Sequence, residues 1–179
     1  MRKKLFILAV FTLFLSGCFY GRKQTIPPNK PHETPTVYNF KSTPQDDAKI
    51  FQTMGLDYLK EGDYARSKEY LNKAVKLDPK LYWSWYALGL LEIDNPKGYA
   101  YLKRSTEENP DFPIPYYWMA YYYCRNNEDR KAVELFKKYI DLAQGSIGEE
   151  DRLSSAREIL LELQSGKDGA ILKKIRNKP

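Results

Sequence analysis

The sequence predicts an all-α protein: an α-α superhelix of about three helix pairs, closed by a C-terminal capping helix. Three observations carry that expectation. From residue 44 onward, apolar residues recur every three to four positions rather than every two. The periodic stretches end at Gly62-Asp63, Asp78-Pro79, Asn95-Pro96, Asn109-Pro110 and Asn126-Asn127, residue types that stop one helix or cap the next. The resulting helix–turn–helix pattern is then stated three times, a short period that marks stacked repeats.

The chain begins differently. Arg2, Lys3 and Lys4 precede an apolar run from Leu5 to Leu15 and the small pair Ser16-Gly17, the three parts of a secretory signal. The run is short for a membrane span, which takes about 20 apolar residues. An uncleaved anchor, or a secretory peptide with a chance cysteine, are the competing readings. Leu15-Ser16-Gly17-Cys18 resembles the lipobox of bacterial lipoproteins. The resemblance implies a signal peptide over 1–17 and a covalent lipid on Cys18 (palmitate among its acyl groups), with no other cofactor. Phe19 stands where an aspartate retains such lipoproteins at the inner membrane, so the same resemblance implies the outer membrane, facing the periplasm. Residues 18–43 then read as the lipidated N-terminus and a disordered linker. Pro27, Pro28, Pro31 and Pro35 lie among Lys, Asn, Thr and Gln without apolar period, which favours an extended spacer of about 3.1 Å per residue.

The helical domain is expected over 44–166. Thr43 is a candidate N-cap with Pro44 at the first helical position, where its missing N–H costs nothing. Ile50, Phe51, Met54 and Tyr58 mark the first helix, and Tyr64, Tyr70, Leu71, Ala74, Val75 and Leu77 the second. Trp85, Leu88, Gly89 and Leu90 pair with Tyr99, Leu102 and Ser105; Tyr116, Met119, Ala120 and Tyr123 pair with Ala132, Val133, Phe136, Tyr139 and Ile140. These positions resemble tetratricopeptide repeats over about 48–144. Ala48 to Leu81 match through Phe51, Met54-Gly55, Tyr58, Gly62, Tyr64, Ala74 and Pro79, with Ser67 in place of a small alanine. The second unit is shorter between its helices and has Glu92 where the family has tyrosine; the third lacks the closing proline. Gly55, Gly89 and Ala120 are the small residues expected where two helices cross closely, since a glycine inside a helix otherwise costs about 0.5–1 kcal/mol.

Ser146-Ile147-Gly148-Glu149 has the pattern of a capping box opening the final helix, whose apolar side is Leu153, Ala156, Ile159, Leu160 and Leu163 and whose stop is Gly166. Residues 167–179 form a basic tail, with Lys173, Lys174, Arg176 and Lys178 beside Ile171, Leu172 and Ile175. A short helix packed on the cap is expected there, ahead of contact with anionic lipid.

Composition narrows the function. The formal charge of +6 falls to about +3 without Arg2, Lys3 and Lys4, too mild to argue nucleic acid. His32, in the proline-rich stretch, is the only histidine, and Cys18 and Cys124 are the only cysteines. A histidine-based triad or metal cluster is therefore excluded from the body. With Cys18 acylated, no intrachain disulfide remains, and Cys124 in its apolar segment is expected to be a buried thiol. Nothing points to an enzyme, and Glu92 with Asp94 makes no recognisable carboxylate site.

In tetratricopeptide proteins the first helices of each pair line a groove that takes peptides. The carboxylate-clamp version needs Lys and Asn at positions held here by Lys49, Gln52, Thr53, Leu56, Trp83, Tyr86, Ala87, Leu90, Ile114, Tyr117, Trp118 and Tyr121. Only Lys49 fits, so a clamp is rejected. The expected partner-binding surface is instead Trp83, Tyr86, Leu90, Tyr117 and Tyr121, against the reading that these are core or are covered. The function implied is a membrane-anchored adaptor or assembly factor of the bacterial envelope, taking a protein or peptide segment. The alternative is a small-ligand or glycan-binding lipoprotein using the same aromatics.

Overall fold

Thr43 starts the first helix by a capping box. Its side chain accepts from the Asp46 backbone N–H at 3.2 Å, and the Asp46 carboxylate accepts from the Thr43 N–H at 3.0 Å. The computed structural model describes residues 42–166 and 169–177. The expected signal segment 1–17, Cys18, Phe19, His32, nearly all of the linker and Lys178 lie outside the described residues.

Every described secondary-structure element is helical: α1 Pro44–Glu61, α2 Tyr64–Leu77, α3 Tyr82–Leu91, α4 Pro96–Glu108, α5 Ile114–Arg125, α6 Asp129–Ala143, α7 Glu150–Ser165 and α8 Ala170–Arg176. Turn chemistry sets the boundaries. Gly62 ends α1 in the left-handed region (φ 81°), and Asp63 caps α2 by accepting from the Arg66 N–H at 2.9 Å. Asn95 caps α4 through the Lys97 and Gly98 N–H groups, with Pro96 in the first turn. Asn127, at φ 58°, carries the turn into α6.

Short turns fold α1 with α2, α3 with α4 and α5 with α6 into hairpins, and α2 packs on α3, α4 on α5 and α6 on α7. The small residues sit at the crossings. A Cβ on Gly55 would come within 2.7 Å of the Leu71 side chain, and one on Gly89 would meet Leu102 as closely. Ser67 and Ser105 are fully buried and donate to the carbonyls of Gly55 and Tyr82, each at 2.8 Å, so each hydroxyl ties the second helix of its pair to the first. Leu71, Val75, Ala87 and Leu88 form the core between the first two units. A larger core joins Ala120, Cys124, Ala132, Phe136 and Tyr139 to Leu153, Ile159, Leu163, Leu172 and Ile175.

The C-terminal end differs from expectation in one respect. The capping box predicted at Ser146 to Glu149 does not form; α7 starts at Glu150 with no side-chain cap hydrogen bond. Gly148 turns through φ 84°, and the Glu149 carboxylate is already engaged by Tyr139 Oη at 2.8 Å and by Arg152. Gly166 does stop α7 in the left-handed region. The described part of the basic tail is α8. It buries Leu172 and Ile175, and Glu162 of α7 accepts from its Ile171 and Leu172 N–H groups at 3.2 and 2.9 Å. No described helix is long and apolar enough to cross a membrane.

Candidate protein-binding groove

Two consecutive aromatic turns, one on α3 and one on α5, build the candidate surface. On α3, Trp83 is 39% exposed and Tyr86 and Leu90 are half-buried one and two turns on. The Trp83 and Tyr86 rings stand edge to face at 5.7 Å. Beneath them lies Phe112, from the loop between α4 and α5, buried with its ring 4.6 Å from Trp83 and 5.4 Å from Tyr86. Phe112 fixes the angle of both rings. Sequence reading passed over it; its one visible signal is a lone aromatic beside Pro113 in a loop.

On α5, Tyr117 and Tyr121 are half-buried, and Trp118 lies between them at 5.4 and 5.8 Å. Tyr117 is the more deeply rooted: its ring packs on Phe136 and Tyr139 of α6 at 5.6 and 5.4 Å. Trp118 links the two helices. Its indole Nε1–H is buried without an acceptor in hydrogen-bond geometry, and the Tyr86 hydroxyl lies beside it. Trp83, Tyr86, Trp118 and Tyr121 thus make a continuous strip across α3 and α5, with Tyr117 as its anchor. Burial pushes the hydroxyl pKa values of Tyr86, Tyr117 and Tyr121 up, so all three stay neutral at physiological pH.

Charge reaches the strip from α7. The Arg152 guanidinium lies 5.9 Å from the Tyr117 ring and is held by both Glu149 oxygens at 2.5–2.6 Å. Arg152 is not among the apolar positions of α7; the helix crossing brings it to the groove. In the first unit Lys49 is exposed, while Gln52 is spent on Ser84 Oγ at 2.9 Å. Glu92 and Asp94 do not form a pair. Glu92 accepts from Lys68 and from Asn95, contacts that hold its pKa below the ordinary value, and Asp94 is bound by Arg125. Cys124 is fully buried, and burial pushes its thiol pKa up to about 12.

Stacked hairpins with small residues at each crossing and a covering helix at one end define a helical-repeat superhelix. Residues 48–81 match the tetratricopeptide repeat family model; they are the first of the three units in which the sequence showed the resemblance. The chain therefore contains a tetratricopeptide repeat, and its described body has the tetratricopeptide fold. The type III secretion translocator chaperone SycD of Yersinia enterocolitica aligns at 12% identity and TM-score 0.63, over 73% of this chain and 100% of that one. The TPR2B domain of yeast Sti1, solved in a pHsp70 complex, aligns at 15% identity and TM-score 0.58, over 68% and 98%. An O-GlcNAc transferase of Thermobaculum terrenum aligns at 13% and 0.57, over 68% of this chain but only 23% of the enzyme. At these identities the likeness is one of fold. Comparison with curated proteins found no match.

Proposed function

We propose that this chain is a lipid-anchored adaptor of the bacterial cell envelope that holds a protein segment in the aromatic groove of α3 and α5. The continuous Trp83–Tyr86–Trp118–Tyr121 strip is the observation that supports it. Half-buried tyrosine and tryptophan give large contact area at low entropic cost, and the buried Trp118 N–H gains an acceptor if a peptide carbonyl reaches it. Two structural neighbours were solved with a partner: the TPR2B domain of yeast Sti1 in a pHsp70 complex, and the first TPR of Spaghetti bound to an HSP90 peptide. Lipid on Cys18 would confine this groove to a surface, most simply the periplasmic face of the outer membrane given Phe19, and raise the effective concentration of partners there.

The test is in-cell crosslinking and affinity purification of the full chain beside a Trp83→Ala/Tyr121→Ala variant. Those two residues are preferred to Tyr117, whose ring is part of the α5–α6 core. One envelope protein recovered with the parent and lost with the variant supports the adaptor. Tryptophan quenching that saturates with cell-wall fragments and disappears in Trp83→Ala, with no protein partner, overturns it in favour of glycan binding. A Cys18→Ser chain that stays membrane-bound and unlipidated would remove the anchor from the account.

A further inference from the structure

Successive units place the same helix position against a preceding hairpin. Counted by repeat, Ile50 and Met54 of α1 correspond to Ser84 and Leu88 of α3 and to Pro115 and Met119 of α5. Ser84, Leu88 and Pro115 are fully buried and Met119 is 5% exposed, whereas Ile50 is 54% exposed and Met54 half-buried. Around them the Phe51, Tyr58 and Tyr70 rings continue the patch, 6.0 and 5.4 Å apart through Tyr70. The other end of the stack is sealed by α7 and α8. A repeat stack normally ends in a polar outer face; among the described residues, the first unit leaves Ile50 and part of Met54 uncovered there.

We propose that a second copy of this chain packs on the outer face of α1 and α2, hairpin to hairpin, forming a two-fold dimer. In the second unit the element that covers this position belongs to a hairpin: α2 reaches Leu88 with Leu71 and Val75. A copy supplies the same shape. Head-to-tail stacking is blocked because the last unit is already covered, so the contact closes at two chains and does not grow into a filament.

Charge selects the register. The outer stripe of α1 carries Asp47, Asp57 and Glu61 around Ile50 and Met54, with Lys60 paired to Asp57, and that of α2 carries Arg66 and Lys73 around Tyr70, with Glu69 paired to Lys73; counting these and Lys49, α1 is net acidic and α2 net basic. Packing α1 on α1 of the partner sets acids against acids. Packing α1 on α2 of the partner sets acids against bases, and the two-fold operation makes the same match twice. Arg66 and Lys73 already lie over the Tyr58 and Tyr70 rings at 4.4 and 4.8 Å, with their side chains 56% and 46% exposed. Both sit on the patch already paired, Arg66 with Asp63 and Lys73 with Glu69 at 2.6 Å, and both stay half exposed, within reach of a further acidic neighbour.

The full chain in mild detergent is compared with Ile50→Glu and Met54→Lys by analytical ultracentrifugation, with helical circular dichroism as the control for folding. The parent is expected to sediment as a dimer, and each variant to associate at least tenfold more weakly with unchanged helicity. A photo-crosslinker at position 50 is expected to join α1 of one copy to α2 of another when isotope-labelled and unlabelled chains are mixed; at Leu161 on α7 it should join none. A parent that stays monomeric at all concentrations, a dimer indifferent to both variants, or position-50 crosslinks only to residues upstream of 42 or only to another protein would each overturn the proposal. Trp83→Ala leaves this dimer intact, which separates the surface from the groove.

Discussion

Gly98 is the residue where packing and helix propensity predict opposite signs. In an exposed helix, glycine to alanine stabilises by up to about 1 kcal/mol. Gly98 instead lies in the first turn of α4, pressed on the turn that leaves α3, and a Cβ there would collide with the Glu92 backbone carbonyl and crowd that of Gly89. Backbone gives way less readily than a side chain. Gly98→Ala is therefore expected to destabilise by about 1–3 kcal/mol in urea unfolding, and a gain in stability would show that α3 and α4 are free to separate. Cys124 supports a second residue-scale prediction. Burial is the first cause of its raised pKa, the nearby Asp129 adds to it, and Arg176 opposes it. The thiol stays protonated across the physiological range, and deprotonation waits for pH near 12 or for unfolding. A thiol reagent at pH 8 should leave Cys124 unmodified in the native chain and label it quickly in denaturant; rapid native labelling would place it near the surface.

At the scale of the element, what decides legibility is whether a boundary is made by its own neighbours in sequence. Thr43, Asp63 and Asn95 cap the helices they were expected to cap, because an oxygen two or three residues from an N–H needs no tertiary partner. Gly55 and Gly89 were legible for a related reason: a glycine at helical period has few explanations other than a close crossing. Ser146 is where this logic failed. Its pattern satisfies a capping box, yet the intended acid, Glu149, is claimed by Tyr139 from α6 and by Arg152. Phe112, Trp118 and Arg152 were illegible as parts of one strip because their contacts with Tyr86 and Tyr117 depend on how α3, α5 and α7 cross, which periodicity does not encode. The two accounts of the α7 entry differ measurably. Glu149→Ala strands the hydroxyl of the fully buried Tyr139 and should cost about 2 kcal/mol, while Ser146→Ala should stay within about 0.5 kcal/mol. The reverse order in thermal unfolding would reinstate the capping box.

For the whole molecule, the asymmetry of the two ends sets an order of stability. The core of α5 to α8 is continuous: Phe136 and Tyr139 are fully buried, α7 and α8 close over them, and Arg176 returns from α8 to bind Asp129 at 2.5 Å and the Cys124 carbonyl at 3.3 Å. Among the described residues, the first hairpin is held to the stack on one side only, by Leu71 and Val75 against Ala87 and Leu88 and by Gln52 on Ser84. In a quasi-one-dimensional stack a unit held on one side opens at lower free energy than one held on both. Native-state hydrogen exchange of the dilute chain should therefore find α1 and α2 amides exchanging faster than those of α5 and α6, with α3 and α4 between. Raising the chain concentration should slow α1 and α2 alone, because the proposed dimer gives that hairpin its missing second neighbour while α5 and α6 already have theirs. Equal protection along the stack at every concentration would mean that the described body opens as a single unit. A gradient that ignores concentration would keep the end effect and count against the dimer.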